Sequence, residues 1–297
     1  MIKRTLYFGN PAYLKTQNEQ LIFELPETGE TKQAPIEDIG ILILDHRQIT
    51  ITQALLAKLL ANNTAVITCD DTHHPTGLLL NLDGHSLQSQ KHQAQLEASV
   101  PLKKQLWQQT VAAKIENQAA LLAQQRAEYK PLLTLSKDVK SGDADNCEAQ
   151  AAAYYWKRIF PDFLEFRRER YGPPPNNLLN YGYAILRALV ARSLVASGLL
   201  PTFGIHHRNQ YNSYCLADDI MEPYRPFVDK VVCDIVRMNG KFLEMTPKMK
   251  QALLAIPALD VYLDGQKSPL MNAVQRSTAS LAKCFEGKSR KLLYPQL

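Results

Sequence analysis

The chain is 297 residues and 33.5 kDa, 45% hydrophobic and 21% charged, with 34 Lys+Arg against 29 Asp+Glu and a net charge of +5. That length accommodates one or two domains, and the apolar content excludes a wholly disordered chain. The first residues carry no apolar leader, and the most apolar stretch, residues 183–201, is interrupted by Arg187 and Arg192, which excludes it as a membrane span. The five cysteines are odd in number, scattered and without a C-x-x-C, which argues against a disulfide frame and against a structural zinc site. A soluble cytoplasmic protein with reduced cysteines is expected.

In chain order, residues 5–9, 21–25 and 39–44 read as strands, the last being a short apolar run of the length of a buried strand. Residues 52–60 place apolar side chains at helical spacing, and residues 65–68 and 77–80 return to strand character across the turn 70–75. From Gln88 to about residue 130 the composition turns helical, with Pro101 dividing two helices. The loop 141–146 ends in good N-cap residues ahead of a helix over 147–160. Residues 173–177 form a Pro-rich connector to a long apolar helix from about Leu178 to Ser197, closed by Gly198, and residues 201–214 are irregular. Helical patterns resume near Leu216, near Pro247 and over 269–285. The predicted fold class is α+β: a small β-rich domain, 1–85, followed by a larger all-α domain, 86–297.

Charge divides along the same line. Residues 1–90 carry 6 Lys+Arg against 10 Asp+Glu, a net −4, whereas residues 91–297 carry 28 against 19, a net +9. A basic half is the footprint of a phosphate-backbone binder, although a solvated basic surface looks the same.

The chemistry-bearing segment is 204–226, which sets His206 and His207 in a loop and Asp218, Asp219 and Glu222 at the start of a helix. Residues at i and i+3 share a helix face, so Asp219 and Glu222 with a nearby imidazole make an oxygen/nitrogen donor set suited to Mg²⁺ or Mn²⁺. The competing reading is that these acids only cap the helix and complement its dipole. His73 and His74 lack such an acidic partner set and read as structural or surface residues. Glu148, in the first turn of the 147–160 helix, stands out for the small residues that follow it.

Four ordered motifs, Glu148 with Tyr154-Tyr-Trp156, Asn177 to Tyr183, Gly204-Ile-His-His207, and Asp219-Ile-Met-Glu-Pro-Tyr-Arg-Pro226, resemble the CRISPR-associated integrase/endonuclease, the universal first protein of the Cas adaptation machinery. The double histidine and the Arg208 to Asn212 run are most similar to members from type II systems. The resemblance is colinear over nearly the whole chain. It implies a metal-dependent DNA endonuclease/integrase that inserts short foreign DNA fragments into a CRISPR array by 3′-hydroxyl attack on repeat phosphodiesters. By the same resemblance Glu148, His207, Asp219 and Glu222 are metal ligands for Mg²⁺ or Mn²⁺, and Glu148, His207 and Glu222 the catalytic set. Asp218 remains an alternative to Asp219, and His207 is either a ligand or a general acid. Ala149 departs from the Gly that many members have there, and Glu222 from the Asp of some.

The implied partners are double-stranded DNA (protospacer and CRISPR repeat), a second copy of the chain paired through the β-rich domain, and the second, smaller Cas adaptation protein in a heterohexameric complex. No membrane partner is expected. Arg208, Arg225, Arg167 and Arg168 are the leading DNA-binding candidates, with Lys248 and Lys250 further ones and Tyr171 and Tyr181 as possible stacking rings. A stand-alone metal-dependent nuclease and a non-catalytic nucleic-acid-binding protein are the alternatives.

Overall fold

Apolar runs in the first 86 residues fold into two four-stranded sheets. The structure, a computed structural model, describes residues 3–26, 29–163, 166–240 and 242–297 and divides into two units, Met1–Ser86 and Leu87–Leu297. The first unit comprises β1 (Arg4–Phe8), β2 (Ala12–Gln17), β3 (Gln20–Leu25), β4 (Glu30–Pro35), β5 (Ile39–Leu44), β6 (Ile49–Ile51), α1 (Gln53–Ala61), β7 (Ala65–Cys69) and β8 (Pro75–Leu79). One sheet has the order β1-β5-β7-β8, with β5 parallel to both neighbours and β8 antiparallel; the other is β4-β3-β2-β6, with only β2 and β6 parallel.

Ile39, Ile41, Leu42 and Ile43 of β5 are fully buried, which explains a continuous apolar run where a one-faced strand would alternate. The β2–β3 hairpin turns through Asn18 and Glu19, both at positive φ, the geometry that matches strand twist in a two-residue loop. The Thr52 hydroxyl accepts from the Leu55 amide to start α1, whose Leu55 and Leu59 join Phe8, Leu14, Leu21, Leu42 and Val66 in one core. Strands β2, β4 and β6 were not expected; β4 exposes its first four residues and β6 has three, so neither shows an apolar pattern. His73 is tied to buried Asp45, Nδ1 to Oδ1 at 2.8 Å, and Tyr7 donates to the other oxygen, a structural role for that histidine.

The second unit is mostly helical: α2 (Gln88–Leu96), α3 (Val100–Gln124), α4 (Lys130–Asp138), α5 (Cys147–Trp156), α6 (Asn176–Ala196), α7 (Cys215–Met221), α8 (Arg225–Asn239), α9 (Pro247–Leu254), a hairpin of β9 (Asp260–Leu263) and β10 (Gln266–Pro269), and α10 (Leu270–Phe285). The hairpin corrects the expectation of an all-α domain. It turns at Asp264 and Gly265, both with positive φ, an Asp-Gly loop of the commonest hairpin type. Pro101 lies in the first turn of α3 behind the Ser99 cap, as its position between two helices implied. Helix α5 stops at Trp156 rather than at residue 160. No helix among the described residues is long and apolar enough to cross a membrane, and all five cysteines are free.

Helices α5, α6 and α8 share a buried polar knot. Asp229 of α8 accepts hydrogen bonds from the Tyr155 hydroxyl of α5 (2.8 Å) and the Tyr183 hydroxyl of α6 (2.5 Å). Burial pushes the Asp229 carboxyl up to about 6 despite both hydrogen bonds. A folded-state value above the unfolded one means that the native state holds the proton more tightly, so stability is lost as pH rises from about 4 to about 6. Asp229→Asn is expected to remove that loss. Thermal unfolding across this window should show a shallower decline with pH than wild type, and equal declines would refute the assignment.

Candidate active site

Glu148, His207, Asp219 and Glu222 come from three stretches of chain, and the structure gathers them beside one face of α3. Residues 107, 111, 114, 118 and 121 follow each other at three- and four-residue steps along that helix, so Lys114 lies on an otherwise core-facing stripe. Its ammonium is 2.7 Å from Glu148 Oε1 and 2.6 Å from Glu222 Oε2, with the lysine side chain only 11% exposed.

Each carboxylate is placed by its own local device. Glu148 sits in the first turn of α5, which is started by Asp143: its two oxygens accept from the amides of Cys147 (2.8 Å) and Glu148 (3.1 Å). The loop 141–146 therefore caps the helix as its composition implied, through Asp143, while Asn146 adopts the left-handed region. Glu222 follows α7, and the next carbonyl, Pro223 O, accepts from Asn117 Nδ2 of α3 at 2.8 Å, fixing the turn beside Lys114. Glu222 Oε1 is 2.8 Å from Arg225 Nε. Burial alone would raise the Glu222 carboxyl, but Arg225 and Lys114 override it and hold it at about 2. The same two carboxylates keep the Lys114 ammonium above its ordinary range against the opposing effect of burial.

His207 and Asp219 form the other half. Asp219 is fully buried; its Oδ2 accepts from the His206 amide (2.9 Å) and its Oδ1 from the His207 amide (3.3 Å), with His207 Nδ1 at 2.5 Å from Oδ1. This hydrogen bond is the main reason that the His207 imidazole lies above its ordinary range, with the charges of Glu222 and Glu148 adding to it. Gly204 makes the approach possible: a Cβ there would stand 2.5 Å from His207 O and 2.7 Å from Asp219 Oδ2. The His206 ring stacks on Trp107 at 4.2 Å, and the His207 ring meets the same indole edge-on. Asp218, one residue earlier, points elsewhere: Arg187 of α6 binds both its oxygens, at 2.7 and 2.9 Å, and Asn212 adds a hydrogen bond.

Among the described residues no three His, Cys, Asp or Glu converge closely enough to hold a metal ion as they stand. Two pairings account for this: Lys114 occupies the space between Glu148 and Glu222, and the Asp219 oxygens are spent on His206 and His207. Asp219, expected as a ligand, orients His207 in this arrangement, and Asp218 pairs with Arg187. The remaining donors do fit a hard divalent ion. Two carboxylates, Glu222 and Glu148, already converge on one cation, the Lys114 ammonium, and a His207 ring fixed through Nδ1 leaves Nε2 as the nitrogen for a ligand.

The four arginines divide evenly. Arg208 and Arg167 are exposed, and Arg208 lies near enough to Lys103 for their charges to repel. Arg168 instead braces its loop against α6, donating to Asn176 Oδ1 (3.0 Å) and Asn180 Oδ1 (2.7 Å), and Arg225 is spent on Glu222; both guanidinium groups also lie over the Tyr183 ring. Arg168 and Arg225, two of the DNA-binding candidates, thus make contacts within the chain. Tyr181 is core, whereas Tyr171 is 90% exposed. Sequence reading missed Lys114, Trp107, Asp143 and Asn117; the signal for Lys114 was a charge on an apolar helical stripe.

With the geometry in hand, residues 6–245 match the family model described as CRISPR associated protein Cas1. The chain belongs to this family. Over 295 residues, 99% of this chain and 95% of the relative, it is 36% identical to the CRISPR-associated endonuclease Cas1 of Neisseria meningitidis serogroup C (strain 8013). The fold is similar to that of a casposase bound to integration product, with a TM-score of 0.80 at 20% identity covering 98% of this chain and 92% of that one. It is also similar to a chain of a Cas6-RT-Cas1–Cas2 complex, with a TM-score of 0.75 at 19% identity covering 99% of this chain and 36% of that one. The Cas1 fold thus accounts for the β-rich unit followed by the mostly helical one.

Two outcomes follow for this Cas1 site. Gly204→Ala forces a methyl against His207 O and Asp219 and is expected to cost about 1–3 kcal/mol in urea unfolding; an unchanged midpoint would contradict the close approach. Asp219→Asn removes the main cause of the raised His207 value, so the imidazole pKa followed by NMR should fall.

Proposed function

We propose that this Cas1 protein is a CRISPR adaptation integrase that joins the 3′-hydroxyl ends of a short DNA fragment to a repeat phosphodiester. The observation that carries the reading is the gathering of Glu148, Glu222 and an Asp219-fixed His207 in one cluster beside α3. Glu148, His207 and Glu222 would hold Mg²⁺ or Mn²⁺. When bound there, such an ion supplies charge stabilisation to the reacting phosphate and its oxygens.

The chain's own residues do the rest. In the reaction the attacking 3′-oxygen loses its proton, a new P–O bond forms as the bond to the repeat's 3′-oxygen breaks, and the departing oxygen gains a proton. Asp219 holds the His207 ring in one orientation, so Nε2 meets the reacting centre without reorganisation. Arg225 keeps Glu222 ionised, and so negatively charged toward a cation, down to about pH 2. Exposed Arg208 and neighbouring Lys103 supply positive charge for the DNA backbone.

Double-stranded DNA is the substrate under this reading. The similar complex that contains Cas2 supports assembly with that smaller protein, and the net −4 of the first 90 residues suits the β-rich unit to pairing of two copies rather than to gripping DNA. The work would be done in the cytoplasm, where the array resides. The relative's name, endonuclease, favours a second reading in which water replaces the 3′-hydroxyl at the same site.

One assay separates them: a fragment with free 3′-hydroxyl ends, a supercoiled plasmid carrying a CRISPR array, and wild type against Glu148→Gln and His207→Ala with and without Mn²⁺. The integrase reading expects joined products that require the ion and fall at least about 100-fold in either variant. Cut but never joined plasmid would support the nuclease, and full activity in both variants without the ion would leave a non-catalytic DNA binder.

A further inference from the structure

The site contains a cation of its own that the proposed reaction does not use. Lys114 Nζ touches Glu148 Oε1 and Glu222 Oε2 at 2.7 and 2.6 Å, so two carboxylates from separate elements already share one point of positive charge. Both contacts are short and charge-assisted, and the Glu222 carboxylate is buried. The ammonium fills the place a cation would take between two carboxylates.

Charge balance points the same way. Lys114, Arg225, Glu148 and Glu222 form a tightly paired set of two positive and two negative groups, with the fully buried Asp219 and its His207 partner beside it. A divalent ion placed between Glu148 and Glu222 would meet the Lys114 ammonium already there, and two cations at one point in a poorly solvated site repel strongly. One cation must withdraw. Arg225 is held by Glu222 and by the Tyr183 ring at 4.6 Å, whereas the lysine charge rides on a flexible four-carbon stem.

We propose that Lys114 is a resident counter-cation: its ammonium holds Glu148 and Glu222 together in the metal-free protein and gives way when a divalent ion binds between them. The inference rests on the metal reading of Glu148, His207 and Glu222 and assigns Lys114 a positioning role. The ammonium prevents the two carboxylates from repelling each other apart and sets the threshold of divalent ion at which the site loads.

The test is a Mn²⁺ titration of the full chain followed by the EPR signal of free Mn²⁺, comparing wild type, Lys114→Met and Glu148→Gln. Lys114→Met, freed of a competing charge, is expected to bind Mn²⁺ at least about tenfold more tightly than wild type, and Glu148→Gln to lose binding. Equal or weaker binding by folded Lys114→Met overturns the proposal while leaving the metal reading intact. Failure of wild type and Lys114→Met alike to bind Mn²⁺ overturns both.

A measurement on the wild type holds even where the methionine variant fails to fold. The Lys114 ammonium signal in ¹⁵N-lysine NMR, assigned with the charge-preserving Lys114→Arg variant, should shift or broaden in step with Mg²⁺ binding. A signal unchanged at saturating Mg²⁺ overturns the displacement.

Discussion

A lysine ammonium almost entirely withdrawn from water is tolerated only when opposite charge is in contact with it, and that requirement at Lys114 ties the helical unit of this Cas1 protein together. Its partners lie on α5 and on the turn between α7 and α8, so satisfying one charge on α3 fixes two further elements. Neighbouring positions on α3 reinforce the arrangement. Asn117 holds the carbonyls of Pro223 and Pro295, Thr110 bonds the Tyr294 hydroxyl, and Trp107 carries the His206 ring. One helix face thereby gathers the segments on which the site is built.

A second layer closes the circuit from behind. Arg225 pairs with Glu222 and lies over Tyr183; the Tyr183 hydroxyl donates to Asp229, one turn along α8 from Arg225; and Asp229 also accepts from Tyr155, two turns along α5 from Glu148. The two carboxylates that meet at Lys114 in front are thus joined through Arg225, Tyr183, Asp229 and Tyr155 at the back. Arg168 shares the Tyr183 ring at 5.3 Å while bracing the loop before α6, so that loop is coupled to the same knot. Truncating Tyr183 would loosen elements that are distant in sequence, because coupled polar networks do not partition residue by residue.

What was legible in the sequence follows from how local each determinant is. The run at 39–44 declared a doubly buried strand, and Pro101 and Gly198 marked helix ends, because those signals lie within a few residues of their effect. The short polar strands β4 and β6 had no apolar signature to read. The hairpin at 260–269 did carry a turn signal, Asp264-Gly265, and it was overlooked under the surrounding helical pattern. In the site, Glu148, His207 and Glu222 were recognisable as spaced motifs, but the adjacent acids Asp218 and Asp219 were indistinguishable. Neighbouring helix positions point about 100° apart, so Arg187 on α6 takes one and His207 the other, and only tertiary structure says which. Lys114 lay beyond reach for the same reason: its nearer partner is 34 residues away. The +9 of the second half was likewise a sum of unlike parts, since Arg168 and Arg225 face inward while Arg167 and Arg208 face solvent.

The site divides into a fixed part and an adjustable one. His207, Asp219 and Gly204 are locked by backbone amides and by an approach that admits no side chain at 204, so the imidazole orientation is set before any substrate arrives. Glu222 is held by Arg225, and its turn by Asn117. Against this frame the Lys114 ammonium rides on a four-carbon stem and meets both carboxylates at short range. The ammonium lies between two carboxylates that would otherwise repel each other, and this lets groups from separate elements meet at one point.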